Sequence, residues 1–125
     1  MKVIIAGGRN FNDYELLKAE LNILIVPTIM LHRNIEVVSG TAKGADQLGE
    51  RYAKEYNLLL KQFPADWDKY GKSAGYYRNK QMADYATHCV CFWDGISKGT
   101  KMMIDLAKAA NLKVQVYNIE YQNKS

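Results

Sequence analysis

Three short segments carry residue types that hold anions. In the first, Phe92-Trp93-Asp94-Gly95-Ile96-Ser97-Lys98-Gly99-Thr100, a small polar loop stands between an apolar run and a helical pattern. Such a loop aims backbone N–H groups and a positive helix end at one place, which is an anion site. Ser97, Gly99 and Thr100 supply hydroxyl and backbone donors there, and Lys98 adds charge. Asp94 suits a ribose hydroxyl and suits capping of the turn equally well. The second segment is Gly7-Gly8-Arg9-Asn10. Its glycines allow close backbone approach to a ligand, and Arg9 offers a planar fork to phosphate or carboxylate. The third is Ser39-Gly40-Thr41-Ala42-Lys43-Gly44-Ala45-Asp46, with two hydroxyls and a lysine before a helix. Asp46 can accept hydrogen bonds from a ribose or base, or simply balance the helix macrodipole.

Neither glycine loop completes a familiar nucleotide fingerprint. The first lacks a third glycine at the dinucleotide spacing, and the second does not end in Gly-Lys-Ser/Thr, which excludes a Walker-type nucleoside triphosphatase. A fourth group, Trp67, Lys69, Tyr70, Lys72, Arg78 and Asn79, interleaves cations with aromatics. That mixture suits a nucleotide, with phosphate on a cation and base on a ring. Packing of Trp67 and Tyr70 as core or lid would use the same residues.

Other chemistries find little support. His32 and His88 have no evident acidic or nucleophilic partner, and no Ser/His/Asp or Cys/His constellation emerges. Cys89 and Cys91 lie two apart in an apolar run, on one face of a strand, where they cannot easily bridge. They read as buried small hydrophobes in a reducing cytoplasm. No metal and no separate cofactor are expected.

The elements that must position these loops alternate. Lys2 to Ala6 reads as a first strand. Asn12 and Glu15 form a capping-box pattern opening a helix, which Pro27 should break. The segment Ile23 to Leu31 is more apolar than one helix face requires, pointing under the sheet or to a subunit contact. Strands are expected at Ile35 to Val38, Leu58 to Gln62, Thr87 to Phe92 and Leu112 to Tyr117. Helices are expected at Gly44 to Tyr56, Ala74 to Tyr85 and Lys101 to Ala110, with an ordered loop from Phe63 to Lys72. Residues 1–119 make one domain, and the polar tail 120–125 should fray. Nearly continuous apolar strands alternating with helices predict an α/β, Rossmann-like, doubly wound parallel sheet of about five strands, with helices on both faces. Ligands of such sheets bind beyond the strand carboxyl ends, where every loop above lies.

Bulk properties agree with a single soluble domain. At 125 residues the chain can bury a core unaided. Its net charge of +4 favours an anionic partner but is far from that of a basic nucleic-acid-binding tail. No apolar run is long enough for a membrane span or a signal peptide, so a cytoplasmic protein is expected.

Taken together, Gly7-Gly8-Arg9, Ser39-Gly40, Lys43-Gly44-Ala45-Asp46, Pro64-Ala65-Asp66-Trp67, Gly71-Lys72, Gly75, Arg78-Asn79, Met82, Phe92-Trp93-Asp94-Gly95, Ser97 and Gly99-Thr100 resemble the YspA/YpsA-related SLOG family. The resemblance spans nearly the whole chain. It implies a Rossmann-like sheet, a nucleotide-type ligand and a homo-oligomer paired through helices beside the cleft. The wider superfamily includes the cytokinin-activating LOG phosphoribohydrolases, the DNA-processing protein DprA and ligand-sensing domains of bacterial defence systems. LOG enzymes carry an Arg-Lys-x-x-Met element and a Pro-Gly-Gly-x-Gly-Thr-x-x-Glu element. Arg78 and Met82 match the first by spacing, and Gly99-Thr100 match part of the second, but the glutamate position falls on Met103. A thioether neither stabilises an oxocarbenium-like centre nor activates water. Asp105 is turned away from that position by roughly 200° on a helix.

The leading expectation is therefore a protein that binds a nucleotide-derived ligand of ADP-ribose or cyclic ADP-ribose type, or a nucleoside phosphate, for sensing or for sequestration. Sequestration would suit a phage protein that removes a defence signal. No catalytic residue is assigned. A nucleotide N-glycosidase using Asp46 or Asp94 is the alternative. Single-stranded nucleic-acid binding comes last, because the chain lacks a long basic face.

Overall fold

The computed structural model describes residues 1–31 and 33–119. His32 and the tail from Glu120 lie outside the described residues. Five strands, β1 (Lys2–Gly7), β2 (Glu36–Ser39), β3 (Leu59–Gln62), β4 (His88–Trp93) and β5 (Lys113–Asn118), form one parallel sheet in the order β3-β2-β1-β4-β5. The helices are α1 (Tyr14–Met30), α2 (Ala45–Glu55), α3 (Trp67–Tyr70), α4 (Ala74–Tyr85) and α5 (Lys98–Ala109), with a 3₁₀ turn at Gly71–Ser73. This is the expected Rossmann-like α/β domain. Among the described residues no helix is long and apolar enough to cross a membrane.

Two apolar layers sandwich the sheet. Val3, Ile5, Val37, Val90 and Phe92 point to α1 and α2, meeting Leu17, Leu21, Ile25 and Tyr52. Ile4, Ala6, Val38, Cys89 and Cys91 point the other way, to Met82 and Ala83 of α4 and Met103, Ile104 and Ala107 of α5. The period-2 alternation of strand side chains puts neighbours such as Ile4 and Ile5 into opposite layers. Both cysteines are buried, free and on one face, as their spacing requires.

Several local details depart from the sequence-based expectation. The cap of α1 is Asp13, whose carboxylate accepts from the Leu16 N–H at 3.1 Å, not Asn12. Either Asx side chain can fill an N-cap, and the chain direction selects the second. Pro27 stays inside α1. Proline removes one hydrogen bond to the carbonyl four residues earlier, here Ile23, and Ile23 is 69% exposed, on the side where water can replace the lost donor. The apolar segment does not pack wholly under the sheet. Leu16, Ile23 and Met30, seven residues apart, remain exposed along the outside of α1. The residues of β3 are all exposed, because this strand forms the sheet edge rather than a buried run. Finally, α5 begins one turn earlier than expected, at Lys98. Gly99 and Thr100 therefore belong to its first turn and not to the preceding loop.

Candidate functional site

The strand order places the topological switch point between β1 and β4, where consecutive connections leave to opposite faces. Gly7 at the end of β1 pairs with Phe92 near the end of β4. A Cβ on Gly7 would stand 2.5 Å from the Phe92 carbonyl oxygen and 2.8 Å from the Ala45 side chain, so only glycine admits this approach. The loop after β2 is pressed onto the loop after β1 in the same manner. Gly44 has φ +83°, and a Cβ there would lie 2.2 Å from the Gly8 carbonyl oxygen. That oxygen accepts from the Ala45 N–H at 3.3 Å and from the Phe11 N–H at 3.2 Å. Two glycine-rich segments distant in sequence thus become one surface.

Against this surface opens a cleft of about 430 Å³. It gathers Gly7, Gly8, Arg9 and Asn10 from the loop after β1, Ala42 from the loop after β2 with Asp46 from the first turn of α2, and Asp94 and Ser97 from the loop after β4 with Gly99 and Thr100 from the first turn of α5. Trp67, Arg78 and Asn79 complete the predicted residues in it. Gly75, Arg78, Asn79 and Met82 share one face of α4, at helical spacings of three, four and seven.

Asp46 and Arg78 dominate the electrostatics. Asp46 is 7% exposed and accepts a hydrogen bond from the Ala42 N–H at 3.2 Å. Burial pushes its carboxyl up to about 6, the Ala42 N–H and the Arg78 charge pulling the other way. Arg78 is held by two acceptors: its Nε donates to Asn79 Oδ1 at 2.8 Å, and its Nη1 donates to the Gly40 carbonyl. Burial lowers the affinity of the Arg78 guanidinium for its proton, with Asp46 opposing and Arg9 reinforcing that effect. A Cβ on Gly40 would fall 2.8 Å from both Arg78 Nη1 and Asp46 Oδ2, so the small residue lets the cation, the acid and the loop crowd together. With one side of its fork fixed, Arg78 presents the remaining N–H groups with little entropy left to lose.

The start of α5 forms the opposite wall. Ser97 is its N-cap residue but makes no side-chain capping bond. Its hydroxyl instead accepts from the Thr100 hydroxyl at 3.2 Å. The first-turn N–H groups of this helix therefore have no side-chain cap, unlike those of α1 and α3, where Asp13 and Asp66 accept. Asp94 shapes the turn before it, one carboxylate oxygen accepting from the Ile96 and Ser97 N–H groups at 2.8 Å each. These bonds hold the Asp94 carboxyl below the usual range. Trp93 Nε1 donates to the Ser97 carbonyl at 3.0 Å, fixing the loop from behind. Met103 is 1% exposed and forms part of the cleft floor, whereas Asp105 faces solvent and pairs with Lys101 at 2.8 Å.

A second cleft, of about 320 Å³, adjoins the first. Gly40, Thr41, Ala42, Lys43, Pro64 and Ala65 line it, and it shares Arg9, Ala42, Trp67 and Arg78 with its neighbour. Trp67 opens α3 at the rim of both and is 56% exposed, leaving ring surface free. Tyr70, by contrast, packs on Tyr77 at 4.4 Å between centroids.

Seven of the residues singled out from sequence, among them Lys69 and Tyr70, line neither cleft. Ser39 is buried, donating to Glu50 at 2.7 Å and accepting from the Thr41 N–H at 3.0 Å, which braces the loop. Gly44 and Trp93 act as the supports just described. Lys72 and Lys98 are exposed on the 3₁₀ turn and on α5. Sequence reasoning passed over Glu50, which also accepts from Gln62 at 3.1 Å. Its place four residues after Asp46, on the same helix face, was the available signal. Ala6, Ala42, Gly75 and Met102 were also overlooked as lining residues. Among the described residues no cluster of His, Cys, Asp or Glu could hold a metal ion.

Comparison with known proteins agrees with this architecture. The chain is 32% identical, over 126 aligned positions covering 90% of it and 93% of its relative, to the "Gene 61 protein" of Mycobacterium phage D29. The model of the YspA, cpYpsA-related SLOG family matches residues 1–70, from β1 through the loop after β2 to the end of α3. This chain belongs to the YspA, cpYpsA-related SLOG family.

Proposed function

We propose that the protein binds a nucleotide-derived ligand in the cleft at the β1/β4 switch point, to sense or sequester it. The ligand class is ADP-ribose, its cyclic isomers or a nucleoside phosphate. One observation carries the reading: three loops from three different strands converge on one cleft whose far wall is an uncapped helix start. Phosphate belongs at the first turn of α5, ribose hydroxyls at Asp94 and Asp46, and the base against Trp67. Holding is favoured over cleavage because Met103, not an acid, occupies the floor three residues after Thr100. Similarity to a phage protein is what favours sequestration over sensing in this reading. Native mass spectrometry of the purified protein tests the reading. A co-purified mass matching a nucleotide supports it, and a chain that stays bare when incubated with nucleotide pools contradicts it.

Asp46 favours a second reading, a nucleotide N-glycosidase. A buried carboxyl that changes protonation near pH 6 suits general acid work beside a glycosidic nitrogen. Chromatography of nucleoside monophosphates after incubation separates the two readings, since only the enzyme releases base. The exposed stripe on α1 supports a proposed homo-oligomer in which Ile23 and Met30 appose their counterparts in a second copy.

A further inference from the structure

We propose that the second cleft is an anion subsite continuous with the first, so that the ligand carries a second phosphate remote from the one at the start of α5. This rests on the nucleotide reading of the first cleft and narrows its ligand class to nucleoside phosphates, because ADP-ribose and its cyclic isomers carry their two phosphates adjacent in one pyrophosphate.

The two clefts differ in charge. The first contains Asp46 and Asp94 opposite Arg9 and Arg78. The second contains Arg9, Lys43 and Arg78 and no carboxylate among its described lining residues. None of these three cations joins an ion pair with a carboxylate among the described residues, although Lys18, Lys80 and Lys101 all do. Asp46, on the first-cleft side, offsets part of the charge of Arg78, whereas Arg9 and Lys43 keep theirs unbalanced until an anion enters. Thr41 adds a hydroxyl, its backbone held at φ +65°. Gly40, Ala42 and Ala65 leave room.

The wall between the clefts explains how one ligand spans both. Arg78 lines each of them, and its Nε and Nη1 are fixed by Asn79 and Gly40. Its fork therefore cannot retreat into one cleft, and it neutralises charge on both sides. Arg9 stands beside it on the shared rim and Trp67 roofs both spaces. A nucleoside monophosphate fills the first cleft and leaves Lys43 and Thr41 without a partner. A nucleotide bearing two separated phosphates occupies all of the cations.

Two probes test this. In an NMR titration with inorganic phosphate, amide shifts are expected in two groups, Thr41–Lys43 and Gly99–Thr100, and Lys43→Ala should abolish only the first. In calorimetry, adenosine 3′,5′-bisphosphate should bind about tenfold more tightly than adenosine 5′-monophosphate, and Lys43→Ala should erase the difference. Phosphate shifts confined to Gly99–Thr100, or equal affinities for the two nucleotides, overturn the second subsite while leaving the nucleotide reading intact. Phosphate shifts in both groups with no heat from either nucleotide uphold the anion subsite and sink the nucleotide reading instead.

Discussion

Arg78 donates from Nη1 to the carbonyl oxygen of Gly40, joining the helix on one face of the sheet to the loop that opens the helix on the other. The bond spans the carboxyl edge of the sheet beside the switch point. It makes Arg78 both a cleft-lining cation and a strut between layers. Arg78→Lys keeps the charge but loses the planar fork that serves Gly40 and Asn79 together. Titration calorimetry of the variant should show nucleotide affinity reduced at least tenfold, with thermal stability falling by about 1 kcal/mol for the lost hydrogen bonding. Unchanged affinity would place the anion elsewhere.

Gly44 tests the seam between the two glycine loops. Its positive φ and the 2.2 Å approach that a Cβ would make to the Gly8 carbonyl leave no space for a side chain. Gly44→Ala should destabilise the fold by about 2–3 kcal/mol through backbone strain and displacement of the Gly8 loop. Gly95→Ala also meets a positive φ but no neighbour within 4 Å, and should cost less. Paired melting curves check the order of the two.

Asp46 is expected to make stability, and the proposed anion binding, depend on pH. Burial disfavours the charged form and pushes its carboxyl up to about 6 in the folded state, from 3.8 for the ordinary group. The folded state therefore binds the proton more tightly than the unfolded chain. The resulting stabilisation is complete below the unfolded value and is lost as pH rises through 6. Chemical denaturation should show stability falling by about 2 kcal/mol between pH 4 and pH 7 from this group, and Asp46→Asn should flatten that slope. Anion affinity should fall over the same window, as a negative charge appears beside Arg78.

The outer face of α1 predicts self-association. Ile23→Lys replaces the centre of the exposed stripe formed with Leu16 and Met30 without touching the core. Sedimentation should give an oligomer for the native chain and a 14.2 kDa monomer for the variant. A native chain that sediments as a monomer at all concentrations would contradict it.

The sheet was readable from the sequence because buried parallel strands such as Val3–Ala6 and Cys89–Phe92 leave continuous apolar runs between helical patterns. The loops after β1, β2 and β4 were readable because glycine, hydroxyl and cation types cluster in them, although the same types at Gly71-Lys72-Ser73 line neither cleft. Proline at position 27 misled because its cost depends on what surrounds the Ile23 carbonyl, which spacing does not reveal. The first turn of α5 was hidden because Ser97, Lys98 and Gly99 have loop-like composition, and tertiary placement overrides weak propensity. Ser39 looks like a ligand-facing hydroxyl beside Gly40 and Thr41, yet Glu50, a turn beyond Asp46 on the next helix, turns it into a brace. No local pattern distinguishes these two uses of a serine.

The central claim is that the switch-point cleft holds a nucleotide-derived ligand. Isothermal titration of the intact protein with ADP-ribose, its cyclic isomers and nucleoside monophosphates tests it most directly. The account predicts saturable heat with at least one of them, at one ligand per chain, abolished by Arg78→Ala. Absence of heat from every member of the series would contradict it.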